Sequence, residues 1–279
     1  MLNIPWRTGI NMREFAYYGT RIRQTTPADL QRRQLEKLKS MNVKLVRFYA
    51  AATDFTVDEC IENVGKALDL IREFGMQAIV CLDDDVGSDF CIPGRRDMPT
   101  AEGYYHKNYY VKLLYLQHYI PFIKALVDRF KEHDGVLIWE IGNEHALHPT
   151  NPAPSHADID AFYNFVKLAS ETIKELSPKR LVSTGLLNSR QISYALPDNE
   201  INAFAKRLYS LPDIDVVCIH YYQQDDEKKY GLIDSAVALD EVQKPVYIGE
   251  FGALRTFDRP PYYQQEFQEW KDKAFSIYP

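Results

Sequence analysis

The chain has 279 residues, 46% of them hydrophobic and 26% charged, with a formal net charge of -6. That length and apolar content suit one large domain, and the acidic balance argues against a nucleic-acid groove, the basic residues being spread along stretches such as EKLK and DRFKEH. No apolar run reaches the ~18 residues of a membrane span, and MLNIPWRTGI lacks a charged-then-apolar leader, so the compartment stays open and secretion would require a leader outside this sequence.

In chain order, short β-branched runs alternate with stretches of helical period. RTGINM is the first predicted strand. Thr26-Pro27-Ala28-Asp29 then opens a helix with a hydroxyl cap and a first-turn proline, and Leu30, Leu35 and Leu38 face inward. KLVRFYA is the second strand. Thr56-Val57-Asp58-Glu59 repeats the capping pattern, and Gly75 ends that helix where a left-handed residue is wanted. MQAIVCL is the third strand, followed by a long loop over 83–108 and a helix ending near Glu132, in which Pro121 marks the first turn or a kink.

VLIWEIG is the fourth strand. The Pro-rich HPTNPAPSHAD leads into a helix carrying Ile159, Phe162, Val166, Ile173 and Leu176 at helical spacing. RLVSTG, DVVCIHYY and PVYIGEFG are the fifth, sixth and seventh strands, with helices in INAFAKRLYS and LIDSAVALDEVQ between them and another near YYQQEFQEW. Strict strand–helix alternation predicts parallel strands with helices outside, and runs such as QAIVCL that lack polar alternation suit strands covered on both faces. An open doubly wound sheet would want a glycine-rich phosphate turn after its first strand. GINMREFAYYG is not one, so the reading is a (β/α)8 barrel in one domain, 1–279.

A barrel gathers its chemistry at the carboxyl ends of its strands. Those ends carry Arg47, Asp83-Asp84-Asp85, Asn143-Glu144, His220-Tyr221-Tyr222 and Glu250. Two carboxylates flanking one glycosidic bond can cleave it, one ionised to attack and the other protonated to donate; a separation of ~5–5.5 Å gives retention and ~6.5–9.5 Å gives inversion. Glu144 and Glu250 are the candidate pair, and Asn143 is placed to donate to a sugar hydroxyl beside the reacting carbon.

On these residues the sequence resembles the clan A glycoside hydrolases, and family 5 most. The resemblance implies a (β/α)8 barrel that cleaves β-linked sugars with retention. It implies that Glu144 is the acid/base, Glu250 within IGEFG the nucleophile, and Arg47 within VRFYA the nucleophile's support, with His220 and Tyr222 flanking both carboxylates. RFKEHDGVLIWEIGNE is similar to the family's passage from helix three to strand four. The implied substrate is a β-linked oligo- or polysaccharide of β-1,4-mannan or β-glucan type. The likeness covers roughly residues 5–255.

Two positions depart from the family. LDDD stands where a histidine is usual near the end of strand three. Only one helical stretch and AFSIYP follow Glu250, and no tryptophan follows AFSIYP, so most or all of the eighth β/α unit is expected to be lacking. A carbohydrate-binding barrel without turnover is therefore the alternative reading, and a phosphate-binding barrel a third without a glycine-rich loop behind it.

No cofactor or metal is called for. His145 and His148 read as a loop pair, because metal ligation needs a third ligand, and Asp83–Asp85 as a solvated or substrate-facing cluster. Cys60, Cys81, Cys91 and Cys218 read as buried thiols. Trp139 is expected in the wall, with a sugar platform as the alternative. Tyr104, Tyr105, Tyr109 and Tyr110 are either rim aromatics that stack on sugars or simple packing. The oligomeric state stays open.

Overall fold

A computed structural model describes residues 7–17, 24–85, 90–95, 98, 107–147, 154–192, 196–222 and 225–252. Its elements run β1 Gly9–Asn11, α1 Ala28–Ser40, β2 Leu45–Tyr49, α2 Val57–Glu73, β3 Gln77–Cys81, a single turn α3 Asn108–Val111, α4 Tyr119–Phe130, β4 Val136–Glu140, α5 His156–Leu176, β5 Leu181–Ser183, α6 Asp198–Tyr209, β6 Val217–Tyr222, α7 Asp225–Ala236 and β7 Val246–Gly252. Each run expected to be extended is a strand, and every strand pairing is parallel, in the orders β1-β2-β3-β4-β5 and β6-β7. Backbone bonds from Asp215 and Val216 to the Val182 carbonyl, and from His220 to the Leu187 carbonyl, join β5 to β6. Side chains of β2, β4 and β7 meet in one interior, so the strands wrap around a common axis as in a (β/α)8 fold. The expected loss of the eighth unit, with AFSIYP and the YYQQEFQEW helix, lies outside the described residues.

The strands alternate between two apolar environments, which is why no polar alternation marks them in sequence. Val46, Phe48, Val80, Trp139, Val182 and Val217 belong to the main core, together with Leu35, Leu68, Ile71, Ile123, Leu126 and Phe165 from the helices. Ile79, Ile138 and Val216 form a separate cluster inside the barrel, with Leu45, Leu181 and Tyr247 against it. Two residues further along the same strands stand Arg47, Cys81, Glu140, Ser183 and Cys218. The period of two thus lays an apolar floor and a polar layer above it.

Local signals set most helix ends. Thr56 and Glu59 form a reciprocal capping box at α2, a device contributing about 1 kcal/mol. Gly75, with φ 73°, follows the same helix. Ser155 and Asp158 repeat the box at α5. At α1 the expectation fails: Pro27 is the cap residue, and Thr26 Oγ1 instead donates to the Glu14 carbonyl at 2.6 Å, because it faces the β1–α1 connection rather than the helix end. Leu35 and Leu38 are buried and Leu30 is half-buried. All four cysteines are free and buried. Among the described residues no helix is long and apolar enough to cross a membrane.

The turn after β5 rests on a buried acid. Asp234 of α7 accepts hydrogen bonds from the Ser189 amide at 2.6 Å, the Ser189 hydroxyl and the Tyr209 hydroxyl at 2.7 Å. Burial pushes its carboxyl up to about 6, the three donors only partly opposing it. A folded-state pKa raised above the unfolded ~3.9 means that the stabilisation is full below pH ~4 and is lost as pH rises through about 6, a change of about 3 kcal/mol. The melting temperature of wild type relative to Asp234→Asn should therefore fall by roughly 6–12 °C between pH 4 and pH 7. A constant offset across that range would show that Asp234 does not titrate there.

Candidate active site

Arg47 is the centre of the polar layer. It is 2% exposed, and β2 aims it across the barrel. Its Nε donates to Glu140 Oε1 at 2.9 Å and its Nη2 to Asn143 Oδ1 at 2.8 Å. Its Nη1 donates to Glu250 Oε1 at 2.7 Å and to Asn11 Oδ1 at 3.2 Å. Burial alone would lower the guanidinium pKa, but Glu140 and its neighbours raise it, so the charge is fixed. One arginine on β2 thus joins the ends of β1, β4 and β7.

Glu140 is fully buried, and the Tyr247 hydroxyl donates to its Oε2 while lying 3.1 Å from Ser183 Oγ. Both oxygens of Glu140 are therefore satisfied, and Arg47 has one available orientation. Glu140 and Tyr247 were missed in the sequence, although period-two spacing from Leu45, Ile138 and Leu181 puts Arg47, Glu140 and Ser183 on one inward layer.

Past β4 the chain turns sharply. Glu144 has φ 52°, a left-handed conformation costing about 1–2 kcal/mol for a residue with a side chain. Its amide donates to the Gly185 carbonyl at 2.9 Å. Gly185 (φ 70°) has to be glycine there, because a Cβ would lie 1.9 Å from the Gly142 carbonyl oxygen. This turn lifts the Glu144 side chain to the mouth, where it is 13% exposed; Glu250 is 14% exposed. One oxygen from each carboxylate and one ring nitrogen of His220 lie within 4.8 Å of one another. His220 Nδ1 is 2.7 Å from Glu144 Oε1. Burial lowers the imidazole pKa, but Cys218 and Glu144 outweigh it and raise the value to about 10.

Glu144, Glu250, Arg47, Asn143 and His220 therefore share one constellation. Tyr222 ends β6, but its side chain lies outside the described residues. Four expectations need correction or narrowing. Asp83, Asp84 and Asp85 are neither solvated nor open to a ligand: all three are buried, with Arg95 bonded to Asp83 and Asp85. Arg95 gave no sequence signal, since it stands in the same loop as the aspartates, whose path no periodicity describes. Tyr109 and Tyr110 are fully buried against Arg95, Phe162 and Phe165 rather than at a rim, and Tyr104 and Tyr105 lie outside the described residues. Trp139 is core, its Nε1 donating to Ser177 Oγ at 3.3 Å. His145 is buried between Asp83 and Tyr110, and His148 lies outside the described residues.

Glu144, His220 and Glu250 also carry the atom types that bind metals. The Arg47 guanidinium lies 2.7 Å from Glu250, so a fixed positive charge already occupies the carboxylate that a dication would need. The polarity suits an uncharged polyol whose reacting centre becomes cationic.

Comparisons with known proteins agree with this architecture. The chain is similar over 123 residues, at 33% identity, to mannan endo-1,4-beta-mannosidase F of Aspergillus clavatus, covering 42% of this chain and 26% of that protein. It is 28% identical over 144 residues to a probable mannan endo-1,4-beta-mannosidase A of Aspergillus flavus, covering 48% and 35%. The matched stretch thus spans between about a quarter and a third of these relatives' lengths. Among solved structures, the hyperthermostable endo-1,4-beta-D-mannanase of Thermotoga petrophila superposes with a TM-score of 0.72 at 16% identity, over 97% of this chain and 85% of that one. An endoglucanase of Pseudomonas stutzeri gives 0.53 at 16% identity, over 92% and 78%. At such identity the likeness is one of fold. The model of the cellulase family, glycosyl hydrolase family 5, matches residues 11–277. With nearly its whole length matched and its strands laid out in that family's fold, this chain belongs to glycosyl hydrolase family 5.

Proposed function

We propose that this chain forms one catalytic domain that hydrolyses β-1,4-linked mannan, or oligosaccharides of it, with retention of anomeric configuration. The observation that carries this reading is the 4.8 Å limit on the separation of the Glu144 and Glu250 oxygens. That closeness favours direct attack by one carboxylate over the wider ~6.5–9.5 Å arrangement that leaves room for an intervening water.

In the first step Glu250 attacks the anomeric carbon, and the bond to the leaving oxygen breaks as Glu144 delivers its proton there. In the second, water attacks that carbon, Glu144 takes the water's proton, and the ester bond to Glu250 breaks. Arg47 holds Glu250 ionised and oriented. Asn143 has its amide oxygen on Arg47 and its amide nitrogen on Asp84 Oδ1 at 2.9 Å, which leaves a second N–H for a sugar hydroxyl. His220 orients Glu144. Tyr222 is included as a support of the nucleophile on the family resemblance.

Mannan is preferred to glucan because the named relatives are mannan endo-1,4-beta-mannosidases. The test is digestion of mannohexaose and cellohexaose followed by NMR. The reading expects faster release from the mannan oligomer, with the β-anomer as the first product. First appearance of the α-anomer would overturn retention, and binding without turnover would instead support a carbohydrate-binding barrel.

A further inference from the structure

The steps above use Asn143 and Glu144 but leave a buried charged cluster beside them without a task. Arg95, fully buried, donates Nη1 to Asp83 and Nη2 to Asp85, and its guanidinium carbon sits 4.1 Å from the Tyr109 ring centre. Each of those aspartates reaches across to the turn that carries Glu144. Asp83 Oδ1 accepts from the Ile92 amide at 2.9 Å, and its Oδ2 lies 3.3 Å from His145 Nε2. Asp85 Oδ2 accepts from the Ala146 amide at 3.1 Å. Their backbones do the same: Asn143 N donates to the Asp83 carbonyl at 2.7 Å, and Asp85 N donates to the Asn143 carbonyl at 3.0 Å. The β3–β4 ladder is thereby continued beyond both strands, through a parallel bridge of Asp84 with Asn143.

Buried ion pairs are a weak source of stability, because desolvation of the charges consumes much of their attraction. What this cluster adds is direction. Glu144 sits at a strained left-handed φ, with its neighbours Asn143 and Ala146 hydrogen-bonded to Asp83 and Asp85 and the His145 ring 3.3 Å from Asp83. The two aspartates would repel each other without the cation between them.

We propose that Arg95 is a positioning residue for Glu144: by holding Asp83 and Asp85 it fixes Asn143, His145 and Ala146, and with them the direction from which the Glu144 carboxyl meets the departing oxygen. The inference rests on the reading of Glu144 as proton donor. It concerns proton delivery rather than nucleophilic attack, so it makes a claim that a merely structural role does not. A misaimed acid slows departure of a basic leaving group and leaves untouched one that departs without a proton.

The experiment compares kcat/KM on phenyl and 2,4-dinitrophenyl β-mannobiosides for wild type, Arg95→Met, Arg95→Lys, the neutral triple variant Asp83→Asn/Asp85→Asn/Arg95→Met, and Glu144→Gln. Circular dichroism and melting curves report the fold. If Arg95→Met does not fold, the triple variant, which buries no unpaired charge, decides. Activity on the phenyl substrate is expected to fall about 100-fold, the scale of an ångström-sized misplacement, with a fall under about 5-fold on the dinitrophenyl substrate and partial recovery in Arg95→Lys. Equal losses on both substrates in a folded variant, or no loss on either, would overturn the proposal. If Glu144→Gln itself lacks this selectivity, the proton-donor reading fails, and the positioning claim fails with it.

Discussion

Glu250→Gln is expected to lower kcat on mannan oligosaccharides by roughly 10⁴- to 10⁶-fold while the protein keeps its fold, the scale seen when a group that bonds covalently to substrate is removed. Gln keeps the shape and one acceptor for Arg47 but has no charge with which to attack. Glu250 is only partly buried and carries one of several contacts of Arg47, so its neutralisation leaves Glu140 to balance that arginine. Glu144→Gln should behave differently. It loses proton donation, so turnover of natural glycosides collapses, but a dinitrophenyl glycoside still transfers to Glu250, and added azide, which needs no deprotonation, should restore release as a glycosyl azide. If both variants hydrolyse mannan oligosaccharides at the wild-type rate, neither carboxylate takes part in the chemistry.

The second large effect concerns stability. Arg47→Met removes the positive partner of Glu140, which is fully buried at the barrel's centre, and leaves that carboxylate unpaired. Breaking a buried pair from one side costs about 3–5 kcal/mol, which for a domain of this size lowers the melting temperature by roughly 6–20 °C. Activity should fall as well, since Glu250 and Asn143 lose the same guanidinium. Adding Glu140→Gln removes the stranded charge, so the double variant should recover most of the lost stability and little of the lost rate. Calorimetry and initial rates on the three proteins separate the two roles. A double variant as unstable as Arg47→Met would mean that Glu140 is not the group left uncompensated.

Much of this was legible in the amino-acid order. Runs such as KLVRFYA and VLIWEIG declared buried strands, and the capping box at Thr56 and the positive-φ Gly75 marked the two ends of α2, because those signals are local. The pair Glu144 and Glu250 was reachable by asking which strand ends carry carboxylates, since a barrel brings such ends together whatever their distance in sequence. Asp83–Asp85 misled for a physical reason. Three adjacent acids read as solvated unless a cation is known to be buried with them, and Arg95 comes from a loop whose path no periodicity describes. The sequence leaves Tyr110 open between a rim aromatic and simple packing, because a loop tyrosine fits either; it packs against Phe162 and Phe165, with its hydroxyl 3.1 Å from His145 Nδ1. Arg47 is reached as a strand-end residue; aligning the inward residues of the strands from Ile79, Ile138 and Val216 upward would have found Glu140 beside it.

The claim that Glu250 bonds to the sugar while Glu144 serves the leaving group has a direct chemical readout. A 2-deoxy-2-fluoro-β-mannosyl fluoride slows both steps by destabilising the cationic transition state, but its leaving group keeps formation of the intermediate faster than its hydrolysis. Incubation followed by peptide mass spectrometry should then find the fluorosugar on the peptide carrying Glu250, in wild type and in Glu144→Gln, and not in Glu250→Gln. A label on any other residue, or an unlabelled protein that still turns over mannan oligosaccharides, would contradict the account.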